Sequence, residues 1–433
     1  MKIRRRSCFP KVEAVGWKCH KVNGPPLAWF CLSGTLVEEG IEIRMRGIKS
    51  ALLLGILLVA FLLASVRLVR TVDVPNSDFF TFWLAGRLAL TGEDPYSPDQ
   101  WVQGHHDYGA TWIPNQTLVY PLPLAYLMVP IGALPLYDAN VLWVFFSMVM
   151  VLASIALITR PGNHLPWNLF TPLIAGVYLL RPTLVTFRNG QLGALLLLIL
   201  VGTMVLWRSN RWFAGGAVLA LLWLKPSIAL PFLPLTAAWA VLTRKPRGIS
   251  GIAMGTAALT IAGWAADPSW VGDYLSIGAR KLAASVGYAP SLWGLVGLAC
   301  QSNSNCVLRI GLSATALLLL GFALFVFKFP DRLSPSLLLA CVVSVSLFAT
   351  PYIWAYDQVL LALPLSVVVE QLSRLRRPYL VCAIIPLLFS LGSLMLLVVA
   401  FQLGSDAWSG VLSLSVLGLA IWIALQSRQG WVA

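Results

Sequence analysis

The chain has 433 residues, of which 58% are hydrophobic and 11% charged, and a formal net charge of +14. Soluble globular chains carry about 25% charged residues, so a water-soluble domain is excluded. Nucleic-acid binding is excluded too, because the lysines and arginines sit in short clusters between apolar runs, where orientation signals lie.

Apolar runs near the roughly 20 residues that cross a bilayer recur from Ile48 to Leu425. Short alternating strands, the mark of a membrane β-barrel, do not occur. Helices satisfy their own backbone hydrogen bonds in lipid, so the chain reads as an all-α polytopic membrane protein.

Residues 1–44 are mixed, polar and aperiodic. At Met45 the text becomes "MRGIKSALLLGILLVAFLLASV", a short basic flank and an apolar run. We therefore expect translation to begin at Met45 and residues 45–433 to form one integral-membrane domain.

Candidate spans follow at 48–66, 118–135, 139–158, 169–186, 190–207, 212–224, 227–243, 249–266, 306–327, 334–350, 357–372, 378–401 and 408–426. Basic clusters lie at Arg44/Arg46/Lys49, Arg160, Arg208/Arg211, Arg244/Lys245/Arg247, Lys328/Arg332, Arg374/Arg376/Arg377 and Arg428. The positive-inside rule assigns all of them to the cytoplasm, which thirteen full spans cannot satisfy. They fall on one side if 118–135 enters and leaves on the same face. Its four prolines, Pro121, Pro123, Pro130 and Pro135, disrupt helical hydrogen bonding; a kinked true span is the alternative.

The apolar stretch 213–243 is interrupted by "KPS" at 225–227. As one helix it would run about 46 Å against a hydrocarbon core of about 30 Å. A hairpin with Lys225 and Pro226 at its turn keeps both basic ends together. The expected layout is about 12 transmembrane helices plus a re-entrant segment, with 67–117 as the first outer loop.

Polar groups then gather on the outer face. Charges at span ends are costly in lipid and mark functional sites. "VPNSDFFTFWLAGRLALTGEDPYSP" (74–98) follows the first span and carries Asp78, Arg87, Glu93 and Asp94. Asp78 opens an amphipathic pattern suited to a helix lying along the membrane. It either N-caps that helix or serves as a general base toward a hydroxyl. Glu93 and Asp94 fit a turn.

"FRNGQ" (187–191) offers Arg188, Asn189 and Gln191, and "LKPS" (224–227) offers Lys225 at a helix start. Both suit a phosphate, which helix N-termini and cations attract; snorkelling charges are the alternative. Adjacent His105 and His106 cannot readily aim both rings at one ion from a helix, so a solvated loop is expected there and no metal site. Cys300 and Cys306 enclose a polar five-residue loop, as a disulfide or as two thiols.

"DFFTFWLAGRLALTGEDPY" resembles the D-x-x-x-[YF]-[YW]-x-A-G-x-x-x-x-x-G-x-x-P-Y stretch of glycosyltransferase family 87, membrane enzymes of the GT-C superfamily. "YPLPLAYLMVPIGALP" (120–135), "NGQLGALLLLIL" (189–200) and "LKPSIALPFLPL" (224–235) are similar in the same order. The resemblance implies a GT-C-type glycosyltransferase fold with interfacial helices in the first outer loop. It places the base on Asp78 and, with the cations, donor-phosphate binding on Arg188 and Lys225. Substrate contacts would fall on Asn189, Gln191, Arg87, Tyr356 and Asp357.

The last two stand in "TPYIWAYDQ" (350–358), where relatives often carry a histidine. The implied reaction moves a hexose, mannose-like, from a polyprenyl-phosphate donor to a lipid or glycan acceptor hydroxyl, with inversion, outside the cytoplasmic membrane. No resident cofactor is implied, and a divalent metal stays open. A secondary transporter or a polyprenyl-linked glycan ligase or flippase are the rival classes.

The orientation is testable in intact cells. A cysteine probe at Ser97 should react with a membrane-impermeant reagent, and one at Ser209 only after lysis. Labelling of Ser209 from outside would undo the re-entrant assignment.

Overall fold

The computed structural model describes residues 34–426 except 114, 161–164, 286–288, 302 and 375–378, with side chains over 52–277 and 289–426 of that range. The chain divides into units 1–57 and 58–433. The first contributes the opening turns of α1 (Gly34–Val69), and the fold and site belong to the second. Most of the segment expected to precede Met45, residues 1–33, lies outside the described residues.

Helix makes up 82% of the structure, without strands among the described residues, as an all-α membrane protein requires. After α1 come α2 (Asp78–Thr91), α3 (Pro98–Asp107), α4 (Leu122–Leu127) and α5 (Val129–Gly132), then α6 (Leu136–Thr159), α7 (Trp167–Leu179) and α8 (Arg181–Asn189). Next are α9 (Gly193–Arg208), α10 (Trp212–Leu219), α11 (Pro226–Leu242), α12 (Pro246–Ala266), α13 (Trp270–Ser285) and α14 (Leu292–Ala299). The last are α15 (Ser304–Lys328), α16 (Pro335–Ala349), α17 (Ala362–Arg374), α18 (Tyr379–Leu403) and α19 (Gly410–Gln426). Among the described residues, seven helices are long and apolar enough to cross a membrane alone, and α9, α11, α16 and Trp212–Leu224 are shorter apolar helices.

The proline-rich segment 118–135 forms only α4 and α5, neither long enough to cross. The hairpin expected around Lys225 is present: Trp212, at the start of α10, and Trp239, near the end of α11, have ring centroids 6.1 Å apart, so the chain doubles back.

Two expectations change. The span expected at 169–186 is broken, α7 and α8 meeting at 57°. Pro182 has no N–H to continue α7, and the Arg181 N–H turns instead to Ser393 Oγ at 3.0 Å. The amphipathic pattern expected for α2 is not what forms: the helix is buried on every side from Phe79 to Gly86, as befits a run apolar all round. It packs on α4 and α5.

That packing depends on small residues. A Cβ on Gly86 would collide with the Met128 carbonyl, and one on Gly132 would press on the α2 backbone at Gly86 and Arg87. At the opposite end of the bundle, α6, α9 and α11 finish in left-handed residues: Arg160 (φ 43°), Asn210 (φ 58°) and Arg244 (φ 55°). There Arg208 donates to Glu370, Ser336 and the Ile158 carbonyl at 2.7–2.9 Å, tying four helices together.

Gly86→Val should lower stability by about 1–3 kcal/mol, the range for overpacking a tight contact, measured as a lower Tm of the detergent-solubilised protein. An unchanged Tm would mean that α2 and α5 can separate without loss.

Candidate functional site

The site forms where four chain breaks meet. Asp78 is the first residue of α2; Ser77 precedes it as N-cap without a side-chain capping bond. Asp78 is therefore not the cap, and its carboxylate points elsewhere: Oδ2 accepts a hydrogen bond from Asn189 Nδ2 at 3.2 Å. The Gln191 amide also approaches it.

Both amides come from the turn between α8 and α9, which Gly190 makes possible. Gly190 has φ 62°, and a Cβ there would sit 2.6 Å from Phe79 Cβ. Trp143 Nε1 holds the same turn by donating to the Gly190 carbonyl at 2.8 Å.

The third break is the Lys225 turn and the fourth the segment between α16 and α17. Lys225 is buried and ion-paired with Asp357 Oδ1, and its Nζ lies 5.0 Å from the centre of the Tyr356 ring. Asp357 Oδ2 accepts from the Trp354 N–H at 3.0 Å, so both carboxylate oxygens are used. Thr350 Oγ1 donates to the Ser227 carbonyl at 3.1 Å, and Thr186 Oγ1 to the Tyr356 carbonyl at 3.0 Å. These bonds join α8, α11 and the 350–358 segment.

Burial raises the Asp78 carboxyl above the ordinary aspartate value. The Gln191 and Asn189 amides and the Lys225 ammonium oppose that rise, while the Asp357 charge adds to it. Such a carboxylate is a stronger proton acceptor than a free one.

Beside this cluster lies a cavity of about 650 Å³ with a mostly apolar lining. Leu224, Pro226 and Ser227 border it next to Lys225, and Trp223, Tyr274 and Tyr352 are among its other wall residues. Tyr352 and the cavity were missed at the level of sequence. "TPYIW" carries an extra tyrosine at a break between apolar helices, which is the signal that could have found it.

The other candidates separate. Arg188 is exposed on the last turn of α8 and has no ion pair or hydrogen bond among the described residues. Arg87, nine residues along α2 from Asp78, lines a different cavity with Glu93, Asp99 and Asp107; the expected substrate role is not supported by proximity. Asp94 closes a turn, Oδ1 accepting from the Tyr96 N–H at 2.8 Å. His105 is no solvated loop residue: it is buried in α3, Nδ1 2.8 Å from the Trp101 carbonyl and edge-on to Phe80. Its pKa is lowered by burial. Cys300 and Cys306 are joined as a disulfide.

Removing one partner of a buried pair strands the other charge. Asp357→Ala should cost about 3–5 kcal/mol, whereas replacing both partners in Lys225→Met/Asp357→Leu should be near neutral. Thermal unfolding in detergent separates the two; a single variant as stable as the parent would show that Lys225 is hydrated.

Residues 118–364 match glycosyltransferase family 87. The matched range contains Arg188, Asn189, Gln191, Lys225, Tyr356 and Asp357 and begins after Asp78 and Arg87. No curated protein and no solved structure matches the chain. The match covers more than half of the residues and more than one of the chain breaks that build the site: the chain belongs to glycosyltransferase family 87 and is a membrane glycosyltransferase.

Proposed function

We propose that the protein transfers a hexose, mannose-like, from a polyprenyl-phosphate donor to a hydroxyl of a lipid or glycan acceptor, on the extracytoplasmic face of the cell membrane. The observation that carries this reading is the half-buried Asp78 carboxylate, held by the amide turn and set beside the Lys225–Asp357 pair. The adjoining apolar cavity supports it, being the right kind of space for an isoprenoid chain whose phosphate lies near Lys225. The Cys300–Cys306 disulfide supports an oxidising side for its loop.

In this reading the acceptor oxygen attacks the anomeric carbon from the face opposite the phosphate. A carbon–oxygen bond forms, the bond to the phosphate oxygen breaks, and the configuration inverts. The acceptor proton passes to Asp78. Charge grows on the departing phosphate, and preorganised cations there lower the barrier. Lys225 is already neutralised by Asp357, so the phosphate competes with that carboxylate for one ammonium. Arg188, exposed and without a side-chain partner among the described residues, is a cation that could meet the donor's phosphate in this reading.

Asp78→Asn keeps the amide turn's partner but cannot take a proton. Transfer should fall by about 10²–10⁴-fold, the worth of a general base, with normal insertion, while Glu93→Gln and Asp94→Asn stay near wild type. Release of polyprenyl phosphate from a panel of polyprenyl-phosphate sugars is the assay. A protonated Asp78 is inactive, so the rate should drop on acidification with a midpoint above the usual aspartate value of about 3.9, and that limb should vanish in the Asn variant. Full turnover by Asp78→Asn would leave the mechanism without its base.

A further inference from the structure

A second cavity, of about 590 Å³, opens at the other end of the bundle. Helix α9 separates the two places: it starts beside Gln191 and ends at Arg208, about 24 Å away at 1.5 Å per residue. Nothing in the transfer reaction uses this region.

Its walls combine three indoles and three cations. Trp207, Trp212 and Trp239 form one cluster, with ring centroids 5.6–6.1 Å apart. Lys245 lies over the Trp212 ring at 4.7 Å. Arg208 is committed to Glu370, but Arg244 and Lys245 have no acidic partner among the described residues; Asp331, exposed on the rim, is the wall's acid.

The decisive group is Trp239. It is 3% exposed, and its buried indole N–H has no hydrogen-bond acceptor among the described residues. Trp207, by contrast, donates to the Trp212 carbonyl at 3.2 Å. A buried donor without an acceptor is unfavourable, and two cations without acidic partners among the described residues line the same cavity.

We propose that this cavity binds a phosphate group. Basic pockets between membrane helices are where anionic lipid headgroups bind, and indoles favour the membrane–water interface; a free phosphate would present the same oxygens. Trp239 Nε1 donates to one of them, and Arg244 and Lys245 neutralise the charge.

The test uses the full chain, delipidated in detergent. Native mass spectrometry with equal concentrations of phosphatidylglycerol and phosphatidylcholine should show selective retention of phosphatidylglycerol. Arg244→Gln/Lys245→Gln should weaken that retention about tenfold or more, given the worth of each basic residue at an anionic lipid surface. Trp239→Phe, which keeps the ring and loses the N–H, should weaken it severalfold. Millimolar inorganic phosphate is the second arm. Displacement of the lipid assigns the site to phosphate from either source, and failure to displace it assigns the site to the headgroup. Equal retention of both lipids, or undiminished retention in the variants, overturns the proposal. Tm values of the variants confirm that they are folded.

Discussion

The arrangement around the site depends on one buried ion pair. Lys225 and Asp357 are 132 residues apart in sequence and both nearly inaccessible to water. Taking an ammonium and a carboxylate out of water is expensive, and their attraction offsets that only with good geometry and satisfied remaining valences. The second carboxylate oxygen is satisfied by the Trp354 N–H, and the ammonium faces the Tyr356 ring. The α11 hairpin turn is thereby fixed against the segment preceding α17. Asp78 responds to both charges, and its own position follows from the amide turn that closes on α2.

A second theme is the use of helix interruptions. Proline breaks α7 from α8 and starts α11 after Lys225; the Asn-Gly step turns α8 into α9. Each break frees polar groups that a continuous helix would consume, and several of them find partners on other elements: the Arg181 N–H on Ser393, Asn189 on Asp78 and Lys225 on Asp357. In lipid, irregular backbone is tolerated only where protein or a cavity surrounds it: the Gly190 and Lys225 breaks border the Asp78 cluster, and the break at Leu180 lies beside Arg181, which lines a separate cavity with Asp406.

Much of this was legible in the residues. The Lys225 turn followed from length, since the apolar stretch was too long for one bilayer, together with the Lys-Pro-Ser interruption and the basic residues at both ends. The non-spanning character of 118–135 followed from its prolines. Asn189, Gln191 and Asp78 could be suspected singly, and the structure brings them together. Other features were hidden. Lys225 read as a lone cation, because a partner 132 residues away leaves no trace in one sequence. Helix α2 read as amphipathic, yet α4 and α5 cover the face that a two-dimensional pattern leaves to solvent or lipid. The break at Leu180 was signalled by Pro182, but hydropathy averaged across it. Arg87 shares a motif with Asp78 without sharing its place, because nine residues of helix separate them.

The left-handed ends of α6, α9 and α11 carry a consequence for engineering. Arg160 and Arg244 occupy conformations in which a side chain is strained by about 1–2 kcal/mol and glycine is not. Glycine would be the stabilising choice of any consensus or thermostability design at these two ends. The same arginines belong to the basic clusters that bias which side of the membrane a loop is retained on, and a cation there also favours the negative end of each helix dipole. Optimising the folded state would therefore erode the insertion code, giving a protein that is more robust once assembled and more often assembled upside down.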